Sequence, residues 1–173
     1  NKLYASERWV LDKNLSTSFH YDHIFGTILN RFMTSAVINK PLLIYGNGSQ
    51  KRTFLNINDT LQCIELALKN KPKKGECIIR NQYTEMFSLN GLADKVSLAA
   101  KKMGIKIKIN KIKNPRIEKY NHYYNPSNKS FKKIGLKIRK LDTDFIIDNI
   151  SQIQKFKNNI DEDLFFPKVT WKQ

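Results

Sequence analysis

The sequence predicts an α/β chain, and three observations carry that prediction. Apolar residues recur at helical spacing over residues 24–39 and 88–103. Short apolar runs suited to strands stand between and after them, at Leu42–Tyr45, at 77–79 and at 105–109. Glycines and prolines mark the changes of period, at Gly46, Gly48, Pro72, Gly75 and Gly104. A chain of 173 residues is long enough to bury one core. No internal repeat is visible, so a solenoid is not expected.

Taken in order, Ile24, Ile28, Leu29, Phe32, Ala36 and Val37 make one helical stripe, with Arg31 at its rim. Leu42–Tyr45 is a short apolar strand entering the glycine turn, and 53–57 a second strand leaving it. A helix follows, capped by Asn58 or Asp59 and burying Leu61, Ile64, Leu66, Ala67 and Leu68. Pro72 and Gly75 end it. Residues 77–79 read as a strand and 81–85 as a polar crossover. Ser88 is placed to cap the next helix, which presents Leu89, Leu92, Ala93, Val96 and Ala100 and stops at Gly104. Ile105, Ile107 and Ile109 alternate with lysines, as in a half-exposed strand, and a bulge at Asn110 would return Ile112 to the core side. A short helix from Ser127 carries Phe131 and Ile134, and a last one over 143–157 packs on Phe145, Ile146, Ile150, Ile153 and Phe156. The tail packs through Phe165, Phe166 and Trp171.

Composition limits the function classes. A formal charge of +16 attracts polyanions in general. The lysines are nevertheless scattered among asparagines and isoleucines, without the aromatic interleaving of a nucleic-acid module, so no specific nucleic-acid partner is expected. Cys63 and Cys77 are too few for a zinc site and read as two buried thiols. His20, Asp22 and His23 are close in sequence, but three ligating side chains within four residues make a poor metal site. No apolar run is long enough to cross a membrane, and no secretory signal is visible.

The most informative stretch is 41–65, where a buried strand feeds Tyr45-Gly46-x-Gly48-x-Gln50-x-Arg52. The glycines let the backbone turn tightly and approach a ligand. Arg52 offers a planar fork that suits a pyrophosphate. By itself a Gly-x-Gly turn is equally an ordinary loop with a solvated arginine.

Three further groups of residues extend the pattern: Asp59-Thr60-x-Gln62-Cys63-x-Glu65-Leu66-Ala67, Asn81-Gln82-x-Thr84-Glu85-x-Phe87-Ser88 and Tyr21-Asp22-x-x-Phe25-Gly26-Thr27-x-Leu29-Asn30-Arg31-Phe32. With the turn, the first two resemble the C-terminal half of extended short-chain dehydrogenase/reductases acting on nucleotide sugars. The third, with Asn114-Pro115-Arg116, His122-Tyr123-Tyr124-Asn125 and Pro167-x-Val169-x-Trp171-Lys172, resembles the UDP-sulfoquinovose synthase branch of that family. The likeness runs from about residue 12 to the end. It departs at Ser18-Phe19-His20-Tyr21-Asp22, where that branch usually has Arg-Phe-Asp-Tyr-Asp.

The resemblance implies the C-terminal substrate-binding lobe of an extended short-chain dehydrogenase/reductase, with the whole chain, 1–173, serving as its nucleotide-sugar-binding part. The backbone near Leu43 and the ring of Tyr45 would face the uracil. Arg52 and Arg116 would clamp the pyrophosphate, and Asn30 would touch the sugar, with Arg31 structural. Gln50 would either meet a ribose or phosphate oxygen or tie the turn to itself. For Arg116 the ordinary alternative is a surface ion pair with Glu118. His122 and Tyr123 take no assigned role.

The family activity so implied converts UDP-glucose and sulfite to UDP-sulfoquinovose with NAD, in a homodimer that is cytoplasmic, or plastid in a photosynthetic eukaryote. None of the seven glycines forms the three-glycine turn that holds NAD in such enzymes. No tyrosine is followed four residues later by lysine, so no catalytic residue is assigned. The expectation is a fragment lacking the N-terminal NAD-binding Rossmann part and inactive alone. Three alternatives stay open: another nucleotide-sugar epimerase or dehydratase, an inactive UDP-sugar-binding module, and a basic nucleic-acid binder.

Overall fold

A computed structural model of the chain describes residues 19–22, 24–114 and 124–165. Its elements, in chain order, are helix α1 (Ile28–Val37), strands β1 (Leu42–Tyr45) and β2 (Lys51–Phe54), and helix α2 (Ile57–Lys69). Then come β3 (Glu85–Ser88), α3 (Leu89–Lys102), β4 (Ile109–Ile112), α4 (Lys129–Lys133) and α5 (Thr143–Gln154). Two short 3-10 turns close the described chain, Lys157–Asn159 and Glu162–Phe165.

The strands form two pairs. β1 runs parallel to β4, Leu42 opposite Ile109 and Tyr45 opposite Ile112. β2 runs antiparallel to β3, Lys51 opposite Ser88 and Phe54 opposite Glu85. The β1–β4 register is continuous, so the bulge expected at Asn110 is absent. Ile109 and Ile112 remain partly exposed on an edge, while Ile105 and Ile107 pack on the core before the strand begins. The strand expected over 105–109 is thus displaced toward the C-terminus.

The main core lies where α1, α3 and α5 meet β1. Phe32 and Met33 of α1, Leu42 and Ile44 of β1, Leu92 and Val96 of α3, and Ile146 and Ile150 of α5 are almost wholly excluded from water. Burying each large side chain contributes about 1.5–3 kcal/mol. A smaller cluster joins Cys63 of α2 to Phe131 and Leu136.

Helix α1 starts later than its periodicity suggests. The Asp22 carboxylate accepts from the amides of Ile24 and Phe25, both at 2.8 Å, and this local turn competes with helix. Ile24 and Phe25 are consequently exposed. Thr27 caps α1 through its hydroxyl, which accepts from Asn30 N at 3.2 Å.

Other boundaries shift for similar reasons. Asn56, rather than Asn58 or Asp59, caps α2, its side chain accepting from Asn58 N, and β2 lies a few residues before the expected 53–57. Ser88 does cap α3, accepting from Gly91 N at 3.1 Å, and Gly104 takes φ +76° past its end. Asp142 caps α5. That helix ends at Gln154, which leaves Phe156 exposed. The segment read as a polar crossover, 81–85, runs into β3 at Glu85, and 77–79 forms no strand. Cys77 is exposed, against the expected pair of buried thiols; only Cys63 is buried, and burial followed by the nearby Asp59 pushes its thiol pKa up.

Candidate functional site

A cleft of about 570 Å³ opens between the start of α1, the glycine turn, β2 and the start of α5. Ile28, Leu29, Met33, Phe54, Leu89, Leu141 and Phe145 give it an apolar floor, and Asn30, Arg31, Tyr45, Gln50, Arg52, Thr53 and Asn114 give it polar groups. No aspartate or glutamate is among the described residues that line it. The exposed Arg52, with the positive charge of Arg31 beside it and no carboxylate among the described lining residues, suits it to an anion.

The glycine turn is held from inside the molecule. Gly46 and Gly48 take φ +69° and +77°, the left-handed region that glycine enters without cost. A Cβ on Gly48 would stand 2.2 Å from Asn90 Oδ1 and 2.9 Å from Ile44 Cγ2. Asn90 N donates to Gly48 O at 3.0 Å and Leu89 N to Gln50 O at 3.2 Å. Asn90 Nδ2 adds a bond to Asn47 O at 3.0 Å. The first amides of α3 are therefore spent on the turn. Asn90 escaped the sequence reading because nothing local signals a contact to a loop some forty residues earlier.

Gln50 Nε2 donates to Tyr45 O at 2.9 Å, so this side chain ties the turn to itself while also lining the cleft. Arg52 is exposed on β2, lines the cleft and donates to Lys51 O at 2.9 Å. Thr53 Oγ1 lies 2.7 Å from the Tyr124 hydroxyl. Asn30 Nδ2 donates to His20 O at 2.8 Å. Arg31 Nη1 reaches the carbonyl oxygens of Asp22 and Gly26, both at 2.8 Å, which gives it the structural role expected.

Leu141, missed by the sequence reading, is pinned as a wall. Its amide donates to Glu85 Oε2 at 2.7 Å and its carbonyl accepts from Lys95 Nζ at 3.2 Å.

The structure thus brings Asn30, Tyr45, Gln50 and Arg52 to one cleft. Leu43 lies opposite Asn110 in the parallel ladder, and its side chain is not among those lining the cleft. Arg116, Glu118, His122, Tyr123, His23, Ser18, Phe166 and Trp171 fall outside the described residues. Asn114, two residues before Arg116, lines the cleft. His20 Nδ1 and Asp22 Oδ2 stand 3.5 Å apart. No cluster that could hold a metal ion occurs among the described residues, and no described helix is long and apolar enough to cross a membrane.

The glycine turn does not fit a dinucleotide. It leads into β2 rather than into a helix, so no helix N-terminus faces a pyrophosphate there. The close approach at Gly48 is made to Asn90 and Ile44.

No protein-family model matches the chain. It is 38% identical over 169 residues to the chloroplastic UDP-sulfoquinovose synthase of Spinacia oleracea, covering 97% of this chain and 35% of that protein. It is 31% identical over 166 residues to the UDP-sulfoquinovose synthase of Sulfolobus acidocaldarius, covering 95% and 42%. The chain therefore spans about two fifths or less of the curated relatives it matches.

Among solved structures, Pal from Bacillus thuringiensis superposes with a TM-score of 0.62 at 23% identity, over 78% of this chain and 41% of that one. A UDP-N-acetylglucosamine 4-epimerase from Methanobrevibacter ruminantium, in complex with UDP-N-acetylmuramic acid, superposes with a TM-score of 0.62 at 14% identity, over 80% and 42%. At such identities these matches speak for the fold. Similar in sequence over nearly its whole length to part of the UDP-sulfoquinovose synthases, the chain has the mixed α/β fold of the C-terminal region of the short-chain dehydrogenase/reductase epimerases.

Proposed function

We propose that the cleft binds the UDP part of a nucleotide sugar, and that the chain is the substrate-binding part of a UDP-sulfoquinovose synthase. The observation that carries this reading is the lining of the cleft: Arg31 and Arg52 over an apolar floor, with no carboxylate among the described lining residues. A diphosphate supplies the charge that such a cleft favours, and each charge-assisted bond to it contributes about 1.5–3 kcal/mol. Arg52 is the pyrophosphate contact, and Arg116, carried two residues beyond Asn114, is the second. Tyr45 and the backbone near Leu43 receive the uracil. Asn30, oriented by His20 O, borders the sugar, and Gln50 holds the turn in shape.

The whole reaction under this reading converts UDP-glucose and sulfite to UDP-sulfoquinovose, a sulfolipid head-group precursor. The hydride chemistry of that reaction would be supplied by NAD held outside the cleft. The glycine turn of this chain does not fit NAD, so the part proposed for the cleft is to hold the diphosphate and set the position of the sugar. The reading carries with it a homodimeric parent, cytoplasmic or plastid, whose N-terminal Rossmann part supplies the NAD site.

A second reading, an inactive UDP-sugar-binding module, draws on one fact: no Tyr-x-x-x-Lys occurs in the sequence. Titration calorimetry of this chain with UDP tests the binding step common to both. Measurable affinity that drops on Arg52→Ala supports it; equal heats from wild type and Arg52→Ala, or none from either, remove the cleft from the argument.

A further inference from the structure

Strand β4 leaves one side of its backbone unused. Leu42 N donates to Lys108 O at 2.8 Å and Gly46 N to Ile112 O at 2.9 Å. In a parallel ladder alternate residues turn their backbone groups to the partner strand, so Lys108, Asn110 and Ile112 serve β1. The N–H and C=O groups of Ile109 and Lys111 turn the other way, and among the described residues nothing bonds to them. The strand is exposed along its whole length, whereas its neighbour buries Leu42 and Ile44 completely. An open edge of this kind accepts a further strand.

Charge decides what that strand can be. Lys101, Lys102, Lys106, Lys108, Lys111 and Lys113 are all exposed, and no aspartate or glutamate occurs between residues 101 and 113. Among the described residues none of these lysines makes an ion pair. Edge lysines ordinarily keep like strands from pairing, and they do so here for a second copy of the chain, whose edge carries the same charges. They attract an acidic strand, since opposite charges on neighbouring strands stabilise the pair. Ile109 and Ile112, 37% and 36% exposed, add apolar contact between them. A lipid surface or a nucleic acid would meet the lysines but leave the backbone groups of Ile109 and Lys111 unpaired.

We propose that the free edge of β4 binds an extended acidic segment of another protein by strand addition. The backbone of Ile109 and Lys111 pairs with the incoming strand, and the lysines select for its carboxylates. The inference is independent of the cleft reading, because no residue of β4 lines the cleft.

The test is titration of the chain with a peptide of alternating glutamate and valine, beside one of alternating lysine and valine. The acidic peptide should bind, and amide exchange at Ile109 and Lys111 should slow by about tenfold or more. Asn110 and Ile112, whose backbone groups already serve β1, should change little. Lys108→Glu with Lys111→Glu should weaken that binding by about tenfold or more and leave the melting temperature unchanged, since both side chains are exposed. Lys106→Glu with Lys113→Glu, outside the strand, should act in the same direction. Equal binding of the two peptides, binding that survives both double substitutions, or binding without slowing at Ile109 and Lys111 would overturn the proposal. Oligothymidylate or phosphatidylglycerol vesicles bound more tightly than the acidic peptide would overturn it by assigning the lysines to a polyanion. A dimer of the chain alone that protects Ile109 and Lys111 would overturn it by assigning the edge to a second copy.

Discussion

The Thr84 hydroxyl donates to Asp59 Oδ2 at 2.8 Å and accepts from Asn56 N at 2.7 Å. Both side chains are buried, Asp59 wholly, and Asp59 also accepts from Arg139 N at 3.2 Å. One hydroxyl therefore joins the end of β2, the start of α2, the approach to β3 and the chain that leads to α5. Leu141, two residues beyond Arg139, is a wall of the cleft, so the network reaches the candidate site.

Thr84→Val keeps the shape and removes the hydroxyl, leaving a buried carboxylate short of a donor and a buried amide short of an acceptor. The expected cost is about 1–3 kcal/mol of folding stability. Urea unfolding checks it, and Thr84→Ser should recover most of the loss. A valine variant as stable as wild type would show that the network does not hold these elements.

Gly48→Ala adds two penalties at one position. A φ of +77° costs an alanine about 1–2 kcal/mol, and its Cβ would overlap Asn90 Oδ1. The loosened turn should show faster amide exchange at Leu89 and Asn90 together, because their N–H groups donate to Gln50 O and Gly48 O. Exchange that speeds up at Asn90 alone would mean the clasp from α3 is not a unit.

The parts of this fold legible in the sequence are those decided locally. Leu42–Tyr45 is apolar and bounded by a proline and a glycine, Ser88 precedes a clean helical stripe, and Gly104 follows its end; all three stand as read. What could not be read depends on partners distant in sequence. Periodicity shows that α2 has an apolar side and not what covers it, so Leu61, Ile64 and Leu68 read as core although all three are exposed. Residues 77–79 have strand-forming side chains but no partner strand among the described residues. β3 was missed because Glu85–Ser88 is half-buried along its whole length, without the alternation that signals a strand. The same division runs through the site. The turn was visible as Gly-x-Gly, while the Asn90 clasp and the Leu141 wall come from tertiary contacts alone.

Asp22 gives a pH dependence with a definite sign. The backbone amide of Phe25, then that of Ile24, holds its carboxylate below the usual aspartate range, with partial desolvation opposing and His20 assisting. A carboxyl whose pKa is lowered by folding stabilises the protein above its unfolded pKa, and that contribution is lost as pH falls through the folded value. The turn before α1 should therefore open in acid. Asp22→Asn should flatten the acid limb of the stability profile below the ordinary aspartate pKa and leave neutral-pH unfolding little changed. An unchanged acid limb would assign the acid sensitivity elsewhere.

Arg52→Ala should weaken UDP binding by about 1.5–3 kcal/mol, roughly ten- to a hundredfold, as expected for one lost charge-assisted contact. Arg52→Lys should recover only part of it, since an ammonium cannot make the two parallel bonds of a guanidinium. Full recovery by lysine would indicate a general charge effect rather than a clamp, and salt titration would then track the affinity.

The last prediction concerns which reaction the lobe serves. Joined to the remaining part of a UDP-sulfoquinovose synthase, this chain should support UDP-glucose plus sulfite going to UDP-sulfoquinovose. The expectation rests on its sequence likeness to enzymes of that name, whereas the 4-epimerases share the fold at much lower identity. No tyrosine of the sequence is followed four residues later by lysine, so under the proposed reading the product reports on how the cleft presents the sugar, with Arg52 proposed to fix the diphosphate and the Asn30 edge of the cleft the ring. Arg52→Ala in the chimera should raise KM more than it lowers kcat, because a grip on the diphosphate is made in the ground state as well as in the transition state. Mass spectrometry of the product decides between the readings. A sulfonated nucleotide sugar formed only with sulfite is the expected outcome; UDP-galactose or a 4-keto sugar made equally with and without sulfite would place the chain among the epimerases and dehydratases instead.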